Sequence, residues 1–175
     1  MLRETITALS LASFLALSGC SESADPDSST ADAAASDQST SAAWVLTQAP
    51  TGDISITEAK ANAKEGDQIV IRGRIGGRSE PISAGSPVFT IVDLELPYCG
   101  QFEDDSCPAP WDYCCETPET IASNSATVQV LGSDIDLGAE GFEPLDEIIL
   151  IGTVGPRPDD QVLTVMATGV YTVDG

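Results

Sequence analysis

A chain of 175 residues with 28 acidic residues, 7 basic residues and no histidine has a formal net charge of −21 and room for one ordinary domain. That charge repels polyanions, so nucleic acid is not an expected partner; the one basic cluster, Arg72, Arg74 and Arg78, is too thin to invert the field. Without histidine, Ser-His-Asp and Cys-His catalysis are excluded, and no Gly-rich phosphate loop follows a strand and opens a helix, so neither an enzyme nor a cofactor is expected.

Residues 1–19 read as a secretory signal. Arg3 supplies the positive start, and Ile6 to Leu17 forms an apolar stretch too short for a permanent span, which takes about 20 apolar residues. The tetrapeptide Leu17-Ser18-Gly19-Cys20 that follows resembles the lipobox of bacterial lipoproteins. The resemblance implies cleavage before Cys20 and lipidation of its thiol, hence a membrane anchor in the cell envelope. Ser21 after the cysteine, rather than Asp, implies by the same resemblance sorting to the outer membrane.

Residues 20–43 form the tether. From Ser21 to Ala43 there is no Val, Ile, Leu, Met, Phe, Tyr or Trp, so nothing offsets the entropy of ordering. Glu22, Asp25, Asp27, Asp32 and Asp37 repel one another, and a coil of this length spans on the order of 25 Å. The acidic body is held off an anionic lipid surface, which leaves the anchoring to the lipid.

The domain occupies residues 44–175. Ser55-Ile56-Thr57-Glu58 has capping-box spacing and opens a short helix over Ala59 to Lys64, ended by Gly66 and expected as an edge feature. Five segments rich in β-branched residues predict strands: Gln68 to Ile75, Val88 to Leu94, Ala126 to Leu131, Glu147 to Val154 and Val162 to Tyr171. In the first, Ile69, Ile71 and Ile75 alternate with Gln68, Arg72 and Arg74; in the last, Leu163, Val165, Ala167 and Tyr171 oppose Thr164 and Thr168. Ile148 to Ile151 is apolar throughout and should be covered on both faces. Asp67 to Gly76 echoes Asp146 to Gly155, each with a glycine inside the strand, at Gly73 and Gly152, where a sheet curls.

Five short bent strands with one long excursion resemble the OB-fold, an all-β, five-stranded Greek-key barrel, over Ile54 to Val173; a small β-sandwich is the alternative. The whole layout is similar to small exported bacterial proteins that combine a lipobox, a Ser-rich spacer and such a barrel. That likeness brings no established chemistry with it. The expected role is that of a non-enzymatic envelope lipoprotein that binds a protein, peptide or glycan or serves as a structural module. The alternatives are an OB-type nucleic-acid binder, as the fold suggests, and a thiolate metal binder.

The long excursion carries Cys99, Cys107, Cys114 and Cys115 in an exported, disulfide-permissive context. A bridge between the adjacent Cys114 and Cys115 is strained, which leaves Cys99 paired with one of them and Cys107 with the other. Each bridge would contribute about 2–4 kcal/mol. The rivals are redox exchange and a four-thiolate metal site, although gaps of seven, six and zero residues do not match the pairs of structural zinc. Trp111, Tyr113 and Phe102 form either a recognition surface or a lid over the barrel end. Glu103-Asp104-Asp105, Asp134-x-Asp136 with Glu140, and Asp159-Asp160 match no calcium loop and read as solvated turns.

Overall fold

The computed structural model describes residues 43–102 and 104–173. The signal segment, Cys20 and all of the tether but Ala43 lie outside the described residues.

Five strands close into a barrel: β1 (Gln68–Ile75), β2 (Val88–Val92), β3 (Ser125–Val130), β4 (Glu147–Val154) and β5 (Thr164–Thr172). Their order around the barrel is β1-β2-β3-β5-β4, returning to β1. All pairings are antiparallel except β3 with β5. This is an OB-like Greek-key barrel, and its closure sets aside the two-sheet sandwich.

The two segments that echo each other in sequence are neighbours in space. β1 and β4 pair along their length, from Gln68 opposite Thr153 to Arg74 opposite Glu147. Their glycines mark close approaches of backbone. A Cβ on Gly152 would lie 2.6 Å from the Met166 carbonyl oxygen, and one on Gly73 would lie 3.0 Å from that of Val92. Alternation in β1 holds, with Ile69, Ile71 and Ile75 buried and Val70, Arg72 and Arg74 half-buried. In β4, Ile148, Ile149 and Leu150 are all buried, so both faces are covered there.

The inward set of β5 differs from the period-two reading. Gly169 pairs with Ile151 and Ala167 with Gly152, so Thr168 is an extra residue without an opposite number. This bulge reverses the phase beyond it: Val165 and Ala167 point inward, then Val170 does, and Tyr171 is half-buried instead of continuing the core face.

Strand ends are set by aspartates. β2 stops at Val92, short of Leu94, because Asp93 turns its carboxylate to the Thr57 N–H and hydroxyl, each at 3.0 Å, and to the Glu95 N–H at 3.2 Å. β5 starts at Thr164, after a turn in which the Asp159 carboxylate accepts from the N–H groups of Gln161 and Val162.

Among the described residues there are two short α-helices where the sequence predicts one. In α1 (Ile56–Asn62), Ser55 is the N-cap and accepts from the Glu58 N–H at 3.1 Å, so the first turn comprises the box itself and the helix begins before Ala59. It is no edge feature, since Ile56 and Ala59 are fully buried within the main core. Arg157, before β5, donates to the Lys60 carbonyl at 3.0 Å and to that of Asp160 at 2.8 Å, tying the C-terminal end of α1 to the β4–β5 loop. The second helix, α2 (Pro118–Asn124), has Thr117 as N-cap and Pro at its first position. That signal stands in the sequence, but without an apolar stripe beside it.

The main core joins Ile71, Ile75, Phe89, Ile91, Val128, Leu150 and Val165 from the strands to Trp44 and Phe142, whose rings stack at 5.5 Å. Because the Gly152 contacts are backbone atoms, Gly152→Ala is expected to lower unfolding stability by about 1–3 kcal/mol in denaturant titration. An unchanged midpoint would mean that β4 and β5 have slack at the bulge.

Candidate thiol centre

The excursion between β2 and β3, residues 93–124, is built on its own small core of Val92, Leu96 and Tyr113, with Tyr98 and Ile121 packed against it. Tyr113 ends a 3₁₀ turn (Pro110–Asp112) in left-handed backbone, φ +58°, and is fully buried. It lies against the turn after β1. A Cβ on Gly76 would come 2.8 Å from the Trp111 carbonyl oxygen and 2.9 Å from the Tyr113 ring, so only glycine admits this docking. The Gly77 N–H donates to the Trp111 carbonyl at 2.7 Å, and the Trp111 indole N–H to the Ser79 carbonyl at 3.1 Å.

Arg74, on the outward face of β1, lies under the same loop, its guanidinium 4.8 Å from the centre of the Tyr98 ring. Arg74 Nη1 and the Tyr113 hydroxyl are buried and have no hydrogen-bond partner among the described residues. Burial pushes the Tyr113 hydroxyl pKa up, and the Arg74 side chain opposes that, first by a contact just outside ideal hydrogen-bond geometry and then by its charge.

These anchors bring the cysteines together. Cys114 and Cys115 directly follow the buried Tyr113, while Cys99 follows Tyr98 and is itself buried. The Cys99 Sγ lies 3.4 Å from the Sγ of Cys114 and 3.4 Å from that of Cys115. Cys107 approaches Cys114 at 2.6 Å. The sulfurs of Cys99, Cys114 and Cys115 all fall within 4.8 Å of one another, and among the described residues this is the group of Cys, Asp and Glu side chains placed to share one ion.

The thiols differ in character. Burial pushes Cys99 up, but hydrogen bonds from the Cys115 backbone N–H and from the other thiols outweigh it and hold Cys99 below its ordinary value. The hydrogen bonds to Cys107 and Cys99 push Cys114 up, and the one to Cys99 pushes Cys115 up. Hydrogen-bond donors therefore already surround the Cys99 sulfur. Such a group is equipped for disulfide pairing, for thiol exchange or for holding a soft metal ion.

The aromatic candidates separate. Tyr113 is an internal anchor, Trp111 is half-buried and docked on Ser79, and Phe102 is 60 % exposed. The three arginines separate too: Arg72 is paired with Glu147 and lies 3.9 Å from Asp53, Arg74 is under the loop, and Arg78 is exposed. Asp136 caps its own turn, accepting from the Ala139 N–H. What the sequence reading missed is Arg74 against Tyr98 and the Gly76-Gly77 floor beneath Trp111 and Tyr113; two adjacent glycines right after a strand are the signal that pointed there.

No family model matches the chain, and no curated protein sequence matches it. Solved structures do. The hypothetical protein ygiW from E. coli is 15% identical over 71% of this chain and 95% of its own, with a TM-score of 0.37. An aspartyl tRNA synthetase from Entamoeba histolytica is 10% identical over 77% of this chain and 26% of its own, with a TM-score of 0.44. The OBody AM1L10, solved bound to hen egg-white lysozyme, is 9% identical over 73% of this chain and 100% of its own, with a TM-score of 0.41. The fold assignment itself rests on the strand order.

Because the Tyr113 hydroxyl lies against the buried Arg74 guanidinium while the ring fills the small core, Tyr113→Phe is expected to cost no more than about 1–3 kcal/mol. Tyr113→Ala should cost about 3–5 kcal/mol and speed amide exchange in the loop ahead of the barrel. Equal effects of the two changes on thermal unfolding would refute the anchoring role.

Proposed function

We propose that this chain is a lipid-anchored protein of the bacterial cell envelope, outer membrane favoured, that works as a non-enzymatic binding module. Its loop of residues 93–124 is the platform it offers to an envelope protein, peptide or glycan. One observation carries this reading: the barrel closes through β1 to β5 alone, yet the loop is fixed by a separate core and by hydrogen bonds to the β1–β2 turn. Ordering so long a segment is costly in entropy, and barrel closure does not require it. Fixed loops on a rigid scaffold are where recognition concentrates.

The lipobox-like Leu17-Ser18-Gly19-Cys20 and the apolar-free tether support the anchor, and the net charge of −21 opposes a nucleic-acid role. In an oxidising space the close sulfurs support the pairs Cys107 with Cys114 and Cys99 with Cys115.

For the anchor, the unaltered chain is expected in the membrane pellet after a high-salt wash and the Cys20→Ser chain in the soluble fraction. Retention of the serine variant in the pellet would end the lipid-anchor reading. For the platform, Phe102→Ser, a change at an exposed ring, should remove a cross-linked envelope partner while the thermal midpoint shifts little. An unchanged set of cross-linked partners would remove the loop from recognition.

A further inference from the structure

We infer that the reduced thiol centre is a site for one copper(I) ion, held by the sulfurs of Cys99, Cys114 and Cys115. The inference goes beyond the binding role proposed above and does not depend on acylation of Cys20.

Geometry comes first. Cys99 is equidistant, at 3.4 Å, from Cys114 and Cys115, an arrangement of three donors around a common point in which neither pair is singled out. An ion about 2.3 Å from each sulfur holds its ligands roughly 3.8–4.0 Å apart, so Cys99 needs to draw away from each of the other two by only about half an ångström. Cys114 and Cys115 are exposed and free to make that adjustment, while Cys99 is fixed from below. Adjacent cysteines are poor disulfide partners for each other, but they can bind the same ion.

Ligand number and type then select the metal. The chain has no histidine, so a site here is all sulfur, and soft thiolates favour Cu(I) and zinc. Structural zinc closes its shell with four protein ligands. The group within full mutual reach has three; Cys107 lies against Cys114, at 2.6 Å, and touches Cys99, but does not come within reach of all three sulfurs at once. Three thiolates suit trigonal Cu(I). Loading needs no oxidant or reductant: three thiols lose three protons, three S–Cu bonds form, and copper stays at +1. Oxidation of any two of the sulfurs to a disulfide removes ligands, so copper loading and disulfide closure exclude each other.

The test uses the full chain carrying Cys20→Ser, so that only the four loop thiols remain, kept reduced and anaerobic. It is titrated with Cu(I) against a chromophoric chelator, and the loaded form is examined by X-ray absorption. One copper per chain with a sulfur-only shell of three is the expected result. Adding Cys115→Ser or Cys99→Ser should weaken binding by at least about 100-fold, whereas adding Cys107→Ser should leave it within a few-fold. Far-UV circular dichroism checks each fold, and the exposed Cys115 position carries the comparison if the buried Cys99 variant unfolds. No copper bound beyond that of a fully alkylated chain, unchanged affinity in Cys115→Ser, or a preferred zinc ion on four sulfurs including Cys107 would each overturn the assignment.

Discussion

Burial of Tyr113 is the contact on which the arrangement of the thiols depends, and it is made against opposition. Its backbone is left-handed and its hydroxyl has no hydrogen-bond partner. An orphan hydroxyl costs about 1–3 kcal/mol, and a non-glycine residue in that backbone region costs about 1 kcal/mol or somewhat more. Against this, a tyrosine buries roughly 150–250 Å², which at about 25 cal/mol per Å² stabilises by roughly 4–6 kcal/mol. The burial term wins narrowly. A narrow margin explains why the floor is so closely fitted, with glycine where a Cβ would touch the ring. It also fixes the starting point of Cys114 and Cys115, which inherit their position from the residue before them.

The barrel was largely legible in the sequence because its strands follow rules that act over a few residues. β1 and β4 fall on the predicted bounds, since alternation in the one and continuous apolar character in the other leave little choice of register. The other strands are displaced at one end or both. At Asp93 and Asp159 a side chain competes with the ladder for backbone N–H groups, and propensity carries no information about which side wins. Thr168 illustrates a different limit. Period two describes a strand only while each residue has an opposite number, and an inserted residue reassigns every side chain beyond it. Gly169 and the matched Gly152 hinted at an irregularity there, but not on which strand the extra residue would fall.

The site was legible in its reactive atoms and illegible in their support. Counting cysteines located the centre, because four thiols within one loop have few alternatives. Arg74 read as the polar face of a strand, part of a thin basic cluster with Arg72 and Arg78. In the structure Arg72 is neutralised by Glu147 and Asp53, while Arg74 is covered by a loop that begins almost twenty residues later. Alternation indicates that such a side chain points outward, not what the chain lays over it afterwards. The aromatics divide for the same reason: Tyr113 and Phe102 are similar in composition and opposite in placement.

An OB-like barrel invites the thought of a nucleic acid lying across its strands, and the electrostatics of this one argue otherwise. A strand-tracking groove needs unpaired cations along the sheet face, and of the arginines on β1, Arg72 is paired with carboxylates and Arg74 is under the loop. What remains distinctive is the excursion after β2, which the barrel does not require for closure. The strands hold the two ends of that loop at fixed separation, the Gly76-Gly77 turn supplies its floor, and Asp93 fastens its root to α1. The clustered cysteines therefore sit in a segment that contributes no strand to the sheet, and the barrel is the base on which that segment is docked.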